Sequence, residues 1–534
     1  MLLTDQGTTF TLNGALSGSG SLTKGGAGTL LLTGDNSGYV AATQVAGGTL
    51  GVDGLLGSLV TVAEAGRLEG TGRVGGISNA GVVAPGRGGI GTLTVAGDYA
   101  GNGGMLEIEA VLGADSSATD RLVVNGATSG NTQVSVINRG GLGAQTIEGV
   151  KIVDVAGASN GTFTLNGDYV FNGEQAVIAG AYGYRMYKGG VASPTDGDWY
   201  LRSSLLNPGE PVDPDVPTPP LYQPGVPIYE AYGANLQALN GLSTLQQRVG
   251  NRSWAAGAKA EGSGIWGRME GTRSRANAVV STSMSDQDVN SWKMQLGVDR
   301  VLVATDKGER LVAGVTAFYG EANSHVRSLF GNGSLKTDGY GMGATLTWYG
   351  LNGFYIDGQA QRSWYDSDLE SSILGELAKG NDGSGEAFSV EVGKRSSVGG
   401  KLSVTPQIQM AYSNVRFDRF ADPASAVISA DKGDSLKSRW GISLDHQNEW
   451  EGGRSHIYGL VNLSYEWLDG SRTRVSGTPI DYANERLWGE LGLGASVSWT
   501  KGVTLFGEVS GNSPFKDFGD SYTLKANAGV RVAF

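Results

Sequence analysis

The C-terminal half of the chain alternates apolar and polar residues with a period of two. The last stretch is the clearest case, because apolar or small side chains stand at every second position from Tyr522 to Phe534. Side chains on a strand point alternately to its two faces, so one face can meet lipid and the other a wet interior. The pattern predicts twelve strands, at 262–273, 287–302, 309–322, 336–349, 353–366, 385–396, 400–414, 435–450, 454–468, 484–500, 503–511 and 521–534.

The connections between these predicted strands alternate in length. Short turns are expected at 306–308, 351–352, 398–400, 452–453 and 501–502, and long polar loops such as 366–384 and 415–434 after strands one, three, five, seven and nine. This asymmetry is typical of outer-membrane barrels. Lipid offers no hydrogen-bond partner, so the last strand should close onto the first near Trp266, with the C-terminus on the periplasmic face. A large soluble sandwich or propeller is the alternative.

The first 205 residues have a different pattern. Short β-like runs are separated by Gly, Asn and Asp turns, and the triplet Gly-Thr-Leu recurs at Gly28, Gly48 and Gly91. A repeat near 20 residues made of short strands and turns predicts a parallel β-helix. A β-sandwich or a linker are the alternatives, and the apolar runs argue against a linker. Residues 96–206 have longer, more apolar strands, suited to capping the open end of a solenoid.

A proline-rich joint separates the two halves. Eight of the 14 prolines fall between Pro208 and Pro227, so residues 207–227 are predicted to be extended, semi-rigid and solvated. Residues 228–252 carry a helical stripe of large apolar side chains: Tyr229, Tyr232, Leu236, Leu239, Leu242 and Leu245. About 22 helical residues span ~33 Å, enough to cross a barrel. Interspersed polar residues favour a water-filled lumen over lipid, and an amphipathic surface helix is the alternative.

Composition and charge narrow the class. Glycine supplies 88 of 534 residues, which indicates many tight turns, and cysteine is absent, as expected for passage through an oxidising compartment. A net charge of -12 argues against nucleic acid as a partner. No run of about 18 apolar residues predicts a transmembrane helix. The opening MLLTDQGTTF does not read as a signal peptide, so we expect the chain to be the C-terminal part of a longer precursor or to carry a misassigned start.

Candidate chemistry is sparse. Residues 433–436 spell GDSL, a lipase signature, but they lie where a long loop enters a predicted strand, and we interpret them as coincidence. The three histidines, His325, His446 and His456, have no metal-binding spacing. The glycine-rich run at 86–91 is better explained by a solenoid turn than by a phosphate loop. We therefore predict no enzyme activity and no catalytic, cofactor or metal site.

Several stretches together resemble the classical monomeric (type Va) autotransporters of the pertactin-like group. VVAPGRGGIGTLTVAGDY, ATDRLVVNGAT, GAYGYRMYKGG and DWYLRSS resemble their stalk and autochaperone region, and the repeat at 13–52 resembles their passenger-associated repeat. The helical stripe resembles the linker that precedes their barrels. Some members cut themselves between two adjacent asparagines in that linker. Asn235 and Asn240 stand alone here, which favours a passenger that stays attached or is cut elsewhere.

We therefore predict an all-β protein: a right-handed parallel β-helix stalk and a 12-stranded antiparallel transmembrane barrel with an α-helix in its lumen. The predicted parts are a stalk at 1–95, an autochaperone cap at 96–206, a linker at 207–227, a helical linker at 228–252 and a barrel at 253–534. The resemblance implies an outer-membrane translocator that displays its own passenger as an adhesin or surface structure. The alternatives are an anchor for an exported enzyme upstream, and a soluble structural repeat protein.

Candidate residues follow from the alternation. Candidates for lining the lumen are Lys293, Glu391, Glu466, Glu490, Glu508, Lys525 and Arg531. The linker helix is expected to face the barrel wall through the six apolar residues named above. The final strand, through Tyr522, Val530, Val532 and Phe534, resembles the signal read by the barrel-assembly machinery. Outer-membrane lipid, that machinery, periplasmic chaperones and an unknown surface ligand are the expected partners of a monomeric barrel.

Overall fold

The computed structural model divides the chain into two compact units, Met1–Gln223 and Pro224–Phe534. The structure describes residues 1–207, 210, 213, 218–250, 263–500, 502–516 and 518–534. The start of the predicted barrel at 253–262, including Trp254, and the middle of the predicted proline-rich linker lie outside the described residues.

The first unit is built from short strands. They are β1 (Leu2–Leu3), β2 (Thr9–Leu12), β3 (Leu22–Gly25), β4 (Thr29–Leu32), β5 (Asp35–Asn36), β6 (Thr43–Val45), β7 (Gly48–Val52), β8 (Leu55–Val62), β9 (Gly66–Gly70), β10 (Arg73–Asn79), β11 (Val82–Pro85), β12 (Thr92–Val95), β13 (Tyr99–Ala110), β14 (Arg121–Val124), β15 (Thr128–Asn138), β16 (Val150–Val155), β17 (Thr162–Asn166), β18 (Tyr169–Phe171), β19 (Glu174–Ala179), β20 (Tyr182–Lys188) and β21 (Trp199–Arg202).

Parallel pairing stacks these strands into the predicted β-helix. One ladder runs β2–β4–β7–β9–β11–β13–β15–β17, each strand lying parallel on the one before. Its inward side chains pair in register and are buried: Leu30, Leu50, Leu68, Val83, Leu106, Val134 and Leu165. Only glycine fits at some corners, because a Cβ at Gly70 would lie 2.0 Å from the Val52 carbonyl oxygen one rung below. The handedness of the β-helix stays a prediction.

Antiparallel strands close the far end of this unit. β19 pairs with β18 and β20, β20 with β21, and β21 with β16. Phe163 stacks on Tyr99 and meets Trp199 edge to face, with ring centres 5.9 and 5.4 Å apart. The change from parallel to antiparallel pairing ends the solenoid, and the aromatic rings fill its last layer.

The second unit begins with two short helices and continues as strands. The helices are α1 (Val226–Asn240) and α2 (Leu245–Val249). The strands are β22 (Gly264–Asn277), β23 (Val280–Ser281), β24 (Asp286–Ala304), β25 (Arg310–Arg327), β26 (Gly333–Tyr349), β27 (Phe354–Ser371), β28 (Gly375–Lys394), β29 (Ser396–Gly399), β30 (Leu402–Phe417), β31 (Phe420–Ala421), β32 (Val427–Lys432), β33 (Asp434–Trp450), β34 (Gly453–Glu466), β35 (Ser471–Val475), β36 (Thr478–Ala483), β37 (Leu487–Trp499), β38 (Val503–Pro514) and β39 (Tyr522–Ala533).

Twelve of these strands form a closed antiparallel barrel, as predicted. The order is β22, β24, β25, β26, β27, β28, β30, β33, β34, β37, β38 and β39, with the short β29 continuing β28. The first and last strands close the barrel from Gly264↔Ala533 to Arg275↔Tyr522, and Trp266 lies opposite Arg531. The fold class predicted from the alternation is confirmed.

Two of the predicted long loops are wrong. Residues 366–384 belong mostly to a paired hairpin, in which β27 and β28 join through 372–374, and β25 and β26 likewise join through 328–332. The strands continue past the last lipid-facing residues. There the outward side chains are polar and meet water, whereas inward ones such as Ser367, Leu369 and Ser371 are buried, so the sequence lacks the apolar outer face of a membrane strand. Backbone pairing, rather than apolar composition, sets where these strands end.

The remaining long loops form a small sheet of their own. Its order is β23, β36, β35, β32 and β31, and it is antiparallel. Its buried apolar side chains include Ile428, Val475, Ile480 and Tyr482. This loop sheet contacts α1 through β35 and β36.

The predicted single helix at 228–252 is wrong in its length. Helix α1 ends at Asn240, residues 241–244 are not helical, and α2 restarts with a Thr244 capping box. The 15 residues of α1 span ~22 Å, whereas the predicted single helix would span ~33 Å. Gly241 is extended, with φ -62° and ψ 138°, and this interrupts the helix. The last two predicted positions, 251 and 252, lie outside the described residues.

The linker prediction for 207–227 also needs correction. Residues 218–223 are not a solvated spacer, because Leu221 and Gln223 are fully buried in the first unit, and α1 already begins at Val226. The polar and proline-rich composition concealed a short segment that pairs with the cap.

Candidate functional site: the filled pore of the barrel

The barrel wall is apolar outside and polar inside, the reverse of a soluble protein. On neighbouring strands Ile457, Leu491 and Leu493 are about two-thirds exposed, at 64%, 67% and 66%. The side chains at the alternate positions of the same wall, such as Asn462, Thr504 and Glu508, are buried in the lumen. Soluble proteins rarely expose such a large continuous apolar surface to water, so the outer face of the barrel is the face that contacts lipid.

Two rows of aromatic rings mark the edges of this apolar surface. Trp292 packs against Tyr319 and Tyr340 against Trp364, with ring centres 5.6 and 5.7 Å apart, toward the loop end. Trp348 packs against Phe354 toward the turn end, at 5.9 Å. Tyr340 and Trp348 lie on one strand and are separated by ~20 Å along the barrel axis after allowing for a tilt near 40°. The two rows therefore lie at the two edges of the lipid-facing band, as the aromatic girdles of outer-membrane barrels do.

Helix α1 fills the outer half of the lumen. Leu239 lies against Gly320 and Gly339, where a Cβ would come within 3.3 and 2.9 Å of its side chain. Those glycines neighbour Tyr319 and Tyr340, so the C-terminal end of α1 is level with the outer aromatic row. The rest of α1 lies beyond that row, among the extended strand ends and the loop sheet. Ile228, for example, meets Gly333, the first residue of β26.

Polar side chains fasten α1 to the surrounding wall. Asn235 donates to Thr337 Oγ1 at 2.8 Å and accepts from Ser324 Oγ at 2.5 Å. Asn240 donates to the carbonyl of Glu386 at 3.0 Å and accepts from Ser363. All four partners lie on the barrel strands. The polar residues within the helical stripe therefore bind the barrel, because the polar inner face of the wall offers hydrogen-bond partners around the helix.

The loops hold the outer end of α1. Glu230 accepts hydrogen bonds from Ser281, Ser285 and the Ser283 N–H, the last at 2.7 Å. Tyr229 Oη donates to Asp422 at 2.9 Å, and Tyr232 stacks on Phe417 with ring centres 4.3 Å apart. Contacts from two separate loops converge on one helical turn, so the mouth of the barrel is closed over the helix.

A network of charges occupies the inner half of the lumen around residues 241–250. Arg248 forms an ion pair of 2.6 Å with Asp357, and both side chains are buried. Gln247 donates to Glu508 at 2.7 Å, and Glu391 accepts from the Leu245 N–H at 3.1 Å. Lys293 donates to the Gly241 carbonyl at 2.8 Å. These bonds join the chain within the pore to wall strands on several sides.

An apolar layer lies at the inner end of the same segment. Leu245 and Val249 of α2 pack with Trp266, Val312, Tyr349 and Tyr355 from four wall strands. Tyr349 and Tyr355 flank the turn that joins β26 to β27, near the inner aromatic row. The periplasmic mouth is therefore occupied by side chains, and residues 226–249 fill the lumen from one end to the other.

The seven candidate lumen residues separate into two groups. Lys293, Glu391 and Glu508 contact the chain inside the pore, as described above. Lys525 pairs with Glu270 at 2.9 Å, Glu490 accepts from Asn462 at 2.7 Å, and Glu466 accepts from Ser435, all between wall residues. Arg531 is buried at 3% exposure in the wall. Within the described residues, Lys293, Glu391 and Glu508 thus bind residues 239–247 of the chain inside the pore.

Sequence reasoning missed several residues that make buried polar contacts inside the barrel. Arg248, Asp357, Arg268 and Glu270 were not singled out, and neither was Asn235 as a ligand of the wall. Arg268 donates to Gln295 at 2.9 Å and pairs with Glu270 at 3.2 Å. Both stand at every second position from Trp266 and so share its lumen-facing parity. The alternation in the sequence was therefore sufficient to predict that Arg268 and Glu270 face the lumen.

Five of the six apolar residues of the predicted stripe are buried: Tyr229, Tyr232, Leu236, Leu239 and Leu245. Leu242 is the exception, because it lies half-buried in the non-helical connection between α1 and α2. On the final strand Val530, Val532 and Phe534 face outward, at 41%, 38% and 79% exposure, and Tyr522 is half-buried at the outer end.

The serine of the GDSL run is hydrogen-bonded to a carboxylate on the neighbouring strand. Ser435 Oγ donates to Glu466 at 2.5 Å, and the Leu436 N–H donates to the same carboxylate at 2.9 Å. Across the described ranges, no group of three or more His, Asp and Glu side chains could hold a metal ion. None of the helices in those ranges is long and apolar enough to pass through a membrane.

Comparisons with known proteins agree with this geometry. The family model of the autotransporter beta-domain matches residues 265–510, and that of the autochaperone domain type 1 matches residues 77–186. The adhesin BmaC autotransporter of Brucella suis is 49% identical over 99% of this chain and 16% of its own length. The autotransporter adhesin AIDA-I of Escherichia coli is 26% identical over 66% of this chain and 27% of its own length.

A crystal structure of the AIDA-I transport unit from Escherichia coli aligns with 58% of this chain and 99% of that chain, with a TM-score of 0.48 and 17% identity. The chain spans less than a third of the length of BmaC and of AIDA-I. The barrel is an outer-membrane translocator of type V secretion. With a β-domain and an autochaperone domain in the expected order, the chain belongs to the autotransporter family.

Proposed function

We propose that this chain secretes and displays its own β-helical passenger, and that the passenger acts as an adhesin or a surface structure. The observation that carries the proposal is the filled pore. Residues 226–249 run through the lumen from the loop end to the turn end and bind the wall throughout. A segment in this position has the path that the preceding passenger would follow during export. The adhesin names of BmaC and AIDA-I support the surface role.

The parts of the chain take the following roles in this proposal. Residues 1–95 are the stalk, 96–206 with the paired segment 218–223 are the autochaperone cap, 207–217 are the linker, 226–249 are the pore segment and 253–534 are the barrel. The cap folds first outside the cell and is the template on which the stalk strands stack. The described part of the chain carries out no catalysis and needs no cofactor or metal.

Several partners belong to the same proposal. The outward alternation of β39 and the terminal Phe534 are presented to the barrel-assembly machinery, after periplasmic chaperones have kept the chain unfolded. The finished barrel is a monomer in outer-membrane lipid, because β22 and β39 leave no free barrel edge between them. The stalk meets an unknown ligand at the cell surface, and nucleic acid is not a partner.

Surface proteolysis of intact cells tests the proposal. Cells that express the full chain are treated with a protease that cannot enter them, and the outer-membrane fraction is run with and without heating. We expect the passenger to be digested from outside, while the barrel remains as a fragment that migrates faster unheated. A passenger that is accessible only after cell lysis would contradict the proposal.

A further inference from the structure

The segment after the proline-rich stretch is a strand of the passenger cap. The Leu205 N–H donates to the Pro219 carbonyl and the Leu221 N–H to the Ser203 carbonyl, both at 2.9 Å. The Gly183 N–H donates to the Leu221 carbonyl at 2.9 Å, and the Gln223 N–H to the Ala181 carbonyl at 3.0 Å. Residues 218–223, which we name the docking strand, therefore pair antiparallel with two cap segments at once.

Side chains add to this backbone pairing. Leu221 is fully buried and lies over Gly183, where a Cβ would come within 3.3 Å of it. The ring of Tyr222 packs on that of Tyr182, with centres 5.5 Å apart. Gln145 donates from its side chain to the Thr218 carbonyl at 2.7 Å. The docking strand is thus held by backbone, apolar and polar contacts within the first unit.

The cap also holds the chain just before the proline-rich stretch. Arg185 is fully buried and donates to the carbonyl of Ser204 and to the side chain of Asn207, both at 2.9 Å. It also donates to the carbonyl of Leu206, as does Tyr187. Asn207 and Thr218, which flank the proline-rich stretch, are therefore both held by contacts within the first unit. Only Pro224 and Gly225 follow the docking strand before α1 begins.

We propose that the docking strand fastens the passenger to the barrel without needing the peptide bonds between Asn207 and Thr218. If the chain is cut there, the docking strand stays covalently joined to the pore segment and stays paired with the cap. The cut passenger then remains on the cell surface through its contacts with residues 218–223. The inference rests on the proposed display of the passenger, because retention has meaning only after export.

An engineered cut tests this inference in the full chain on intact cells. The recognition sequence of a site-specific protease is inserted after Asp213, which is exposed. Cleavage is read on a denaturing gel, and passenger retention by sedimentation with the cells. We expect complete cleavage with most of the passenger still sedimenting. Release of the passenger as it is cut would overturn the proposal, and so would an insertion site that the protease cannot reach.

A second insertion serves as the matched control. When the same recognition sequence is placed between Gln223 and Pro224, the docking strand stays with the passenger and no longer joins it to the barrel. Cleavage there should release the passenger. Equal retention after both cuts would show that other contacts hold the passenger, and would contradict the assigned role of residues 218–223.

Substitutions separate docking from folding. In the chain cut after Asp213, Leu221→Asp should release the passenger at least about tenfold faster, since it places a charge in a buried site. Tyr222→Ala should give a smaller increase, and Val170→Ser, at an exposed side chain outside the docking strand, should give none. The uncut Leu221→Asp chain must keep a protease-resistant stalk. If its stalk is digested, Tyr222→Ala decides, and an unchanged release rate for that variant would refute the proposal.

The barrel provides a readout of the proposed function that does not depend on docking. A heat-modifiable barrel with an accessible passenger before cleavage shows that export took place. If retention is lost while export is intact, the role assigned to the docking strand is refuted and the proposed function still stands. If the parent chain is not exported, the proposed function itself is refuted.

Discussion

The buried pair of Arg248 and Asp357 shows how single residues keep the pore segment in place. Each charge would be costly to bury alone, and Thr347 shares the site by donating to Asp357 at 2.6 Å. Removing one member leaves the other charge buried without its counter-ion. The pair therefore specifies where α2 lies along the lumen more than it adds stability.

We predict that Asp357→Ala loosens the pore segment. Breaking a buried ion pair costs about 3–5 kcal/mol, so the lumen should open more often to small solutes. The measurement is the sensitivity of cells to a hydrophilic antibiotic that the outer membrane normally excludes. Asp306→Ala, in an exposed turn, is the matched control and should leave sensitivity unchanged. Equal sensitivity of both variants would contradict the role of the pair.

The buried carboxylate of Asp120 is expected to make the stability of the passenger depend on pH. Its carboxylate accepts from the Gly91 N–H at 2.7 Å and from the Glu109 N–H at 2.8 Å. Burial raises the pKa of Asp120 to about 6, and the negative charges of Glu109 and Glu107 act in the same direction. An unfolded aspartate has a pKa near 3.9, so the folded passenger binds the extra proton between about pH 4 and 6.

We predict that the passenger becomes more stable as the pH falls from about 7 to 4.5. The group is more readily protonated when folded, so stability is gained below the folded pKa and lost as the pH rises through it, by up to about 2 kcal/mol. Resistance of the displayed passenger to proteolysis in urea, measured at both pH values, checks this. Asp120→Asn should flatten the dependence in that window, and an unchanged slope would count against Asp120 as its source.

At the scale of elements, period two was the strongest signal in the sequence. It placed twelve strands and the closure near Trp266, because lipid on one face and a filled lumen on the other force strict alternation. It failed at 366–384, where the outward side chains meet water instead of lipid and Asp366 pairs opposite Asp382 in a polar hairpin. The alternation of apolar and polar residues stops at the edge of the lipid, whereas the backbone hydrogen bonds between the strands continue beyond it.

The pore segment was predictable as a helix but not in its form. Its apolar period was clear, yet the interruption at Gly241 and the second start at Thr244 depend on wall partners such as Lys293 and Glu391. Those contacts join residues far apart in the chain. The docking strand was missed for the same reason, since Leu221 has its partners in strands read as a separate domain.

The last strand is the element on which barrel assembly should depend most. We predict that deletion of Phe534 reduces insertion into the outer membrane, because this outward ring, 79% exposed, ends the alternating signal of β39. The fold of the passenger unit should not change. The measurement is the heat-modifiable fraction of the barrel, compared with an Ala533→Gly variant that keeps the terminal ring. Normal insertion of the deletion variant would refute this role of Phe534.

At the scale of the whole molecule, one chain supplies both the pore and the segment that fills it. The wall is apolar toward lipid and polar toward the lumen, so a polar segment can lie inside it with its hydrogen bonds satisfied. Because residues 226–249 bind the wall at both ends of the lumen, the channel is occupied once export is complete. This is the central claim about the barrel.

Disulfide trapping tests that claim most directly, and the absence of cysteine from the chain makes it clean. Asn235 Nδ2 on α1 lies 2.8 Å from Thr337 Oγ1 on the barrel wall, so the double variant Asn235→Cys with Thr337→Cys should cross-link in intact outer membranes. Asn235→Cys with Thr504→Cys, which lies in the lumen wall near the turn end, should not. A cross-link in the first pair alone is the predicted result. Its absence, or equal cross-linking of both pairs, would contradict a fixed pore segment.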